Sequence, residues 1–542
     1  MFDLVLHNGT LYDGSGSLPY QGDLAIQGDQ IAALGAPNSL NGKVEIDVSG
    51  LAVAPGFINM LSWSVESLIE DGRSQSEIRQ GVTLEVMGEG TSMGPLSEEM
   101  RAGGTRGILG NTDIQYEVEW NTLGEYLDWL AQRGVSTNIA SFVGSSTLRV
   151  HEVGYDDRPP TEGELQRMCE LVRQAMREGA VGLSSALIYP PASYAKTDEL
   201  VALAKAAAEF DGLYISHLRS EGGTFLEAVD ELLTIAREAG IRAEIYHLKA
   251  AGRDNWPKME QVIHKVEAAR AAGLHITADM YVYPAGGTGL NASIPPWAHD
   301  GGHAALMARL KDPATRAQII EAMRSPSTEW ENMWFETGSP DRVLLAGFMS
   351  EALKPLTGKT IAQIAAERGT SPEDTAIDLL IEDGGRIFTM YFTMSEDNIR
   401  KEIQQPWVSF CSDAESMAPE GVFLKSNPHP RAYGNFAKVL ATYVRDLKLM
   451  TLEEAVRRLT ALPAANLKLK KRGSLTLGNY ADVVVFDPAT IQDHATFEQP
   501  HQYATGMQHV FVNGVQVLKD GEHTGAKPGR VVHGPGYTGP NA

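Results

Sequence analysis

GLYISHLRSEGGTFLEAVDELLTIAREAGIRAEIYHL, residues 212–248, begins and ends with an apolar run that stops at a histidine: His217 after GLYIS and His247 after AEIY. The intervening FLEAVDELLTIAREAG carries apolar residues at helical spacing and closes on a glycine, so the stretch reads as one strand-helix-strand unit. In a parallel barrel the ends of successive strands share one face. Either histidine alone reads as a structural residue satisfied by its neighbours. As a pair one unit apart, the two imidazoles can converge on one metal ion.

Strand-like runs recur on both sides of this unit, at 57–61 (FINML), 82–88 (VTLEVMG), 137–143 (TNIASFV), 180–186 (AVGLSSA), 274–281 (LHITADMY) and 407–413 (WVSFCSD). With 212–217 and 243–248 they make eight strands alternating with helical patterns. This predicts an α/β fold, a (β/α)8 TIM-type barrel over residues 55–470. The spacing breaks after the seventh strand, and residues 290–400 read as an insertion placed to cover the mouth of the barrel. Residues 1–54 instead alternate apolar and polar positions in short runs broken by Gly and Asp, and the same texture returns over 471–542. The two ends predict a small β-sandwich domain built from both termini.

Composition narrows the function classes. The chain has 542 residues, enough for a barrel and a companion domain, and a formal charge of −23 from 69 acidic against 46 basic residues. No basic stripe is present, which argues against nucleic acid and anionic membrane surfaces as partners. With two cysteines, Cys169 and Cys411, there is neither a disulfide framework nor a cysteine-based zinc ribbon. The N-terminus MFDLVLHNGT reads as a strand, and no apolar run approaches a bilayer span of about 20 residues. A reducing, cytoplasmic compartment is expected, and a homo-oligomer is compatible with the composition.

A third strand end, FCSDAES, places Asp413 where a barrel sets catalytic groups. A carboxylate there can take a proton from an attacking water and return it to a leaving amine; the same SDAES segment also reads as a helix cap. Ser62, Ser145 and Ser146 lie near strand ends, but no G-x-S-x-G elbow surrounds them, and the glycine-rich stretches form neither a P-loop nor a dinucleotide fingerprint. Arg431 is able to fork onto a carboxylate, and Lys249, Tyr189 and Tyr283 are able to donate hydrogen bonds to a carboxylate or a carbonyl. Arg219 and Glu221 in HLRSEG read as a structural ion pair.

The runs GLSSALIYPP, ISHLRSEG, HLKAAG, DMYVYPAG, CSDAES and NPHPRAYGNFAKVL, with the terminal LTALPAANLKL and GSLTLGNYADVVVFDP, resemble the N-acyl-D-amino-acid deacylase branch of the amidohydrolase superfamily. The resemblance spans nearly the whole chain. It implies a (β/α)8 barrel with a flanking β-sandwich and zinc-dependent hydrolysis of an amide. It also implies that His217 and His247 are the imidazole ligands of the tightly bound zinc, that Asp413 is the catalytic aspartate, and that Tyr189, Lys249, Tyr283 and Arg431 are contacts to the substrate carbonyl and carboxylate.

Two departures stand out. Members of the superfamily usually carry His-x-His at the end of the first strand, whereas PGFINMLSWS puts Leu61 and Trp63 there. The deacylase branch places a cysteine ligand after the second strand, whereas GVTLEVMGEGTSMG has Gly90. The preceding Glu89 offers an acceptable ligand, giving one glutamate and two histidines around a single zinc with water in the fourth position. Glu85, four residues earlier on the same face, is the rival ligand, or else a buried partner for a barrel-lining Lys or Arg. The expectation is a one-zinc amidase for an N-acylated amino acid or similar small amide bearing a free carboxylate. Asp413 would serve as acid and base and Tyr189 as oxyanion donor, with Leu61, Trp63, Ile294, Pro295, Pro296 and Trp297 as apolar walls for the acyl group. Alternatives are hydrolysis of a cyclic amide, dipeptide or lactone, and a binding protein without catalysis.

Overall fold

The computed structural model describes residues 1–103 and 113–539. The expected barrel is present. Strands β1 (Phe57–Asn59), β2 (Val82–Met87) and β3 (Asn138–Ser141) form one parallel run. Residues Val143–Gly144 carry β3 onward to pair with β4 (Gly182–Ala186), followed in order by β5 (Leu213–His217), β6 (Arg242–Ile245) and β7 (Ile276–Ala278).

The eighth stave differs from the expected strand. Over residues 408–414 the chain forms no regular strand and pairs through isolated bridges, Ala278 with Val408 on one side and Ser62 with Ala414 on the other. Backbone hydrogen bonds on both sides close the ring, among them Ser409 N to Ala278 O (2.8 Å) and Cys411 N to Met280 O (3.0 Å) toward β7, and Asp413 N to Leu61 O (2.9 Å) and Trp63 N to Ala414 O (2.9 Å) toward β1. The stave that carries Asp413 is thereby tied directly to the one that carries Leu61 and Trp63.

Local sequence explains the elements. Helix Phe225–Ala239 buries Phe225, Val229, Leu232 and Ala236 and stops at Gly240, whose φ of 63° is the left-handed value that ends helices. The terminal strands form one nine-stranded sheet, in which Ala52–Pro55 pairs antiparallel with Val483–Phe486 and joins the two ends of the chain. Alternation along Val483–Phe486 sends Val483 and Val485 into the core of this sheet and Val484 and Phe486 into the barrel core.

The segment after β7 has a core of its own, built from residues such as Leu290, Leu310, Ile319, Leu345, Ile377 and Tyr391. Its three strands, Gly286–Gly289, Val343–Gly347 and Phe388–Tyr391, make a separate antiparallel sheet. Thr288, Met333 and Arg386 from this segment line the cavity at the barrel mouth. Among the described residues no helix is long and apolar enough to cross a membrane.

Candidate active site

His217 ends β5, and His247 lies just past β6 with φ at 34°. Asp413 also has positive φ, 46°. Two non-glycine residues in the left-handed region store on the order of 1–3 kcal/mol each, a cost that the surrounding structure must sustain. For His247 part of that support is visible: its backbone N–H donates to Asp279 Oδ1 at 2.6 Å.

Glu89 follows β2 and turns its Oε1 to both imidazoles, 3.1 Å from His217 Nδ1 and 2.9 Å from His247 Nε2. One ligand atom from each of Glu89, His217 and His247 lies within 4.8 Å of the others, and all three residues are buried. Among the described residues His217 Nε2 is buried without a hydrogen-bond partner, with Glu221 Oε2 3.7 Å away. A carboxylate and two imidazoles, with an unsatisfied nitrogen among them, fit a zinc-type cation. Glu85 stands apart from this group: its carboxylate accepts from Ser62 Oγ (2.8 Å), Thr137 Oγ1 (2.7 Å) and Ser74 Oγ deeper in the barrel. Hydroxyls thus satisfy it in place of the Lys or Arg that a structural pairing would have supplied.

Gly90 has φ of 61°, and a Cβ there would meet Ala186 Cβ at 2.5 Å. No side chain fits at this position without movement of β4.

The carboxylate of Glu221 completes the surroundings. Its Oε1 lies 3.1 Å from His247 Nδ1 and 2.6 Å from Lys249 Nζ. A carboxylate on Nδ1 holds the ring with Nε2 directed at the site. The expected Arg219–Glu221 pair is absent: Arg219 Nε pairs with Glu231 at 2.8 Å, because the loop turns Glu221 inward and Arg219 outward. Sequence reasoning missed Glu221, although its spacing of four from His217 was a usable signal. Burial pushes the Glu221 carboxyl up, but Lys249 and the two histidines outweigh it and hold it down at about 2. For His247, burial and Lys249 press the pKa down while Glu221 and Glu89 raise it further, to about 10. Glu89 is held below the usual carboxylate range, its burial overcome by the same histidines.

Asp413 is buried and ion-paired, with Oδ2 at 2.7 Å from Arg431 Nη1. Burial raises its carboxyl above the ordinary value, against the pull of Arg431. Trp63 Nε1 donates to Glu89 Oε2 at 3.0 Å and to Asp413 Oδ1 at 3.2 Å. The ring of Tyr189 stands edge-on to that of His217 at 5.4 Å, and its hydroxyl is kept protonated by burial and by Glu89.

Two cavities meet at Trp63 and Asp413. One, of about 330 Å³, holds Glu89, His217, His247, Lys249 and Tyr189. The other, of about 190 Å³, is lined by Arg431, Phe348, Phe388, Phe423 and Glu66 among others. Several expected site residues lie outside both. Leu61 is fully buried in the barrel core, since its alternation points it away from the mouth. Tyr283 turns its hydroxyl to Asp493 at 3.5 Å and takes Lys438 against its ring. Of the supposed apolar walls, Ile294 packs in the insertion core and Trp297 is 41% exposed, while neither Pro295 nor Pro296 lines either cavity. Ser62 and Ser145 also line neither cavity; Ser146 faces the larger one but begins a helix without the elbow of a nucleophile.

Residues 44–518 match the amidohydrolase family. The chain belongs to that family. Among amidohydrolases it is similar to D-aminoacylase of Alcaligenes xylosoxydans xylosoxydans, 33% identical over 98% of this chain and 97% of the relative. A D-aminoacylase structure described by its binuclear metal centre, with one-metal activation and second-metal attenuation, superposes with a TM-score of 0.81 at 31% identity, covering 98% of this chain and 100% of that one. N-acyl-D-glutamate deacylase from Bordetella bronchiseptica, complexed with zinc and a phosphonate inhibitor, superposes at 0.80 with 29% identity, covering 98% and 99%.

Proposed function

We propose that this amidohydrolase removes the acyl group from an N-acylated amino acid with a free carboxylate, using one zinc ion held by Glu89, His217 and His247. The convergence of these three donors beside Asp413, in a cavity covered by the insertion, is the observation that carries the reading. The relatives are named for N-acyl-D-amino acids, which supports D configuration in the substrate.

When bound, zinc supplies Lewis-acid polarisation of a carbonyl and lowers the pKa of water. The chain's own residues supply the rest. Asp413 Oδ accepts the proton of the attacking water and delivers it to the amide nitrogen as the C–N bond breaks. Its raised pKa suits both halves of that task. Tyr189, protonated and against His217, donates to the developing oxyanion. Arg431 lies at the second cavity, its Nε without a hydrogen-bond partner among the described residues, and receives the substrate carboxylate. Lys249 donates to Glu221 and to the backbone carbonyl of His247, so its task is to fix the ligand shell, with substrate contact secondary.

The test is metal content together with hydrolysis of a panel of N-acyl-D- and N-acyl-L-amino acids and their neutral amide analogues. About one zinc per chain and turnover of the carboxylate-bearing compounds are expected. A chain that binds no zinc and hydrolyses none of them would overturn the proposal.

A further inference from the structure

The indole N–H of Trp63 touches both the metal-ligand carboxylate and the proton-carrying one. Each carboxylate spends its other oxygen elsewhere: Glu89 Oε1 faces the two imidazoles, and Asp413 Oδ2 meets Arg431. The shared donor therefore decides which oxygen of Glu89 is presented to the cation and which of Asp413 is left to the guanidinium. Its own position is fixed by the backbone. Trp63 N donates to Ala414 O at 2.9 Å and Ser62 N to Val86 O at 2.8 Å, while Asp413 N bonds Leu61 O.

Two buried carboxylates facing one another repel strongly unless something positive stands between them. A cation bridging them is one solution, and the D-aminoacylase relative is described as having a second metal that attenuates activity. An indole nitrogen carries a proton and has no lone pair for a metal. We propose that Trp63 is a positioning residue whose N–H replaces a second cation between Glu89 and Asp413, orienting both carboxylates and closing the site to excess metal. This rests on the one-zinc deacylase reading above.

The experiment compares the full chain with its Trp63→Phe variant, which keeps an aromatic ring and removes the N–H. The readouts are zinc affinity by chelator competition, ions per chain at hundredfold excess zinc, and kcat and KM for the best N-acyl amino acid. In the variant, zinc affinity and kcat are each expected to fall by about tenfold or more, with KM within about threefold. The parent chain should stay at one ion and full activity in excess zinc. Unchanged affinity and kcat in Trp63→Phe would overturn the proposal, as would a second ion or inhibition in the parent. The parent measurements decide the matter even if the variant fails to fold. A parent that binds one zinc and hydrolyses N-acyl amino acids, beside a variant indistinguishable from it, defeats this inference alone. A parent without zinc or hydrolysis defeats the function reading and this inference with it.

Discussion

Glu221 Oε1 stands 3.1 Å from His247 Nδ1, on the side of the ring opposite Glu89. This carboxylate holds the imidazole with Nε2 toward the metal donors and also neutralises Lys249 in a buried environment. The Glu221→Gln variant should bind zinc about 10- to 100-fold more weakly, by chelator competition. It should also lose stability in urea titrations, on the order of 3–5 kcal/mol, because Lys249 keeps its charge with no carboxylate beside it.

Removing a donor should remove the ion. Glu89→Ala is expected to carry less than a tenth of the parent's zinc by elemental analysis. The parent should gain about 2.7 kcal/mol of unfolding free energy at zinc a hundredfold above its Kd, and the variant none. Since His247 holds a proton up to about pH 10 while the metal donors lack an ion, zinc uptake must release it. Apparent zinc affinity should therefore rise with pH, and proton release should be measurable calorimetrically.

Asp413→Asn keeps the shape and the contact with Trp63 but cannot carry the proton. A fall in kcat of about 10²–10⁴, with bound zinc unchanged, is expected. In the parent, the acid limb of kcat should lie above the ordinary aspartate range, because burial raises the carboxyl and the ionised form is the base. Loss of that limb in the variant would identify its origin.

Glu66 lines the second cavity and accepts from Tyr116 at 2.7 Å. Burial raises its pKa from 4.5 to about 8. Between those values the folded chain holds a proton that the unfolded chain has released, so stability falls as pH rises from 4.5 to 8. Glu66→Gln should flatten that fall in denaturation curves taken across the window.

Gly90→Cys should not create a cysteine ligand. The new Cβ would meet Ala186 in a left-handed conformation. A loss of about 1–3 kcal/mol with no gain in zinc affinity is expected, from unfolding and chelator titrations.

Spacing and pattern carried the fold class, and together with the family resemblance they pointed to the principal chemistry. Periodicity between His217 and His247 gives a strand-helix-strand unit, and apolar runs ending in functional residues give a barrel with its site at one face. Glu89, His217, His247 and Asp413 stand out as candidates because they lie at strand ends, which are local features of a sequence, and at or beside positions that the family resemblance marks. Side-chain direction past a strand end is not. Leu61 turns into the core, Tyr283 toward Asp493, and Glu221 inward to His247 and Lys249, although all three lie within motifs that read as site residues. The choice between Glu89 and Glu85 likewise depended on depth in the barrel and on the hydroxyls of Ser62, Ser74 and Thr137 around the deeper residue. Trp63 shows the limit most sharply. In the sequence it is a missing ligand, while in the fold its N–H bridges two carboxylates 324 positions apart in the chain, Glu89 and Asp413. Contacts between residues so distant in sequence depend on how the staves close, which no local pattern encodes.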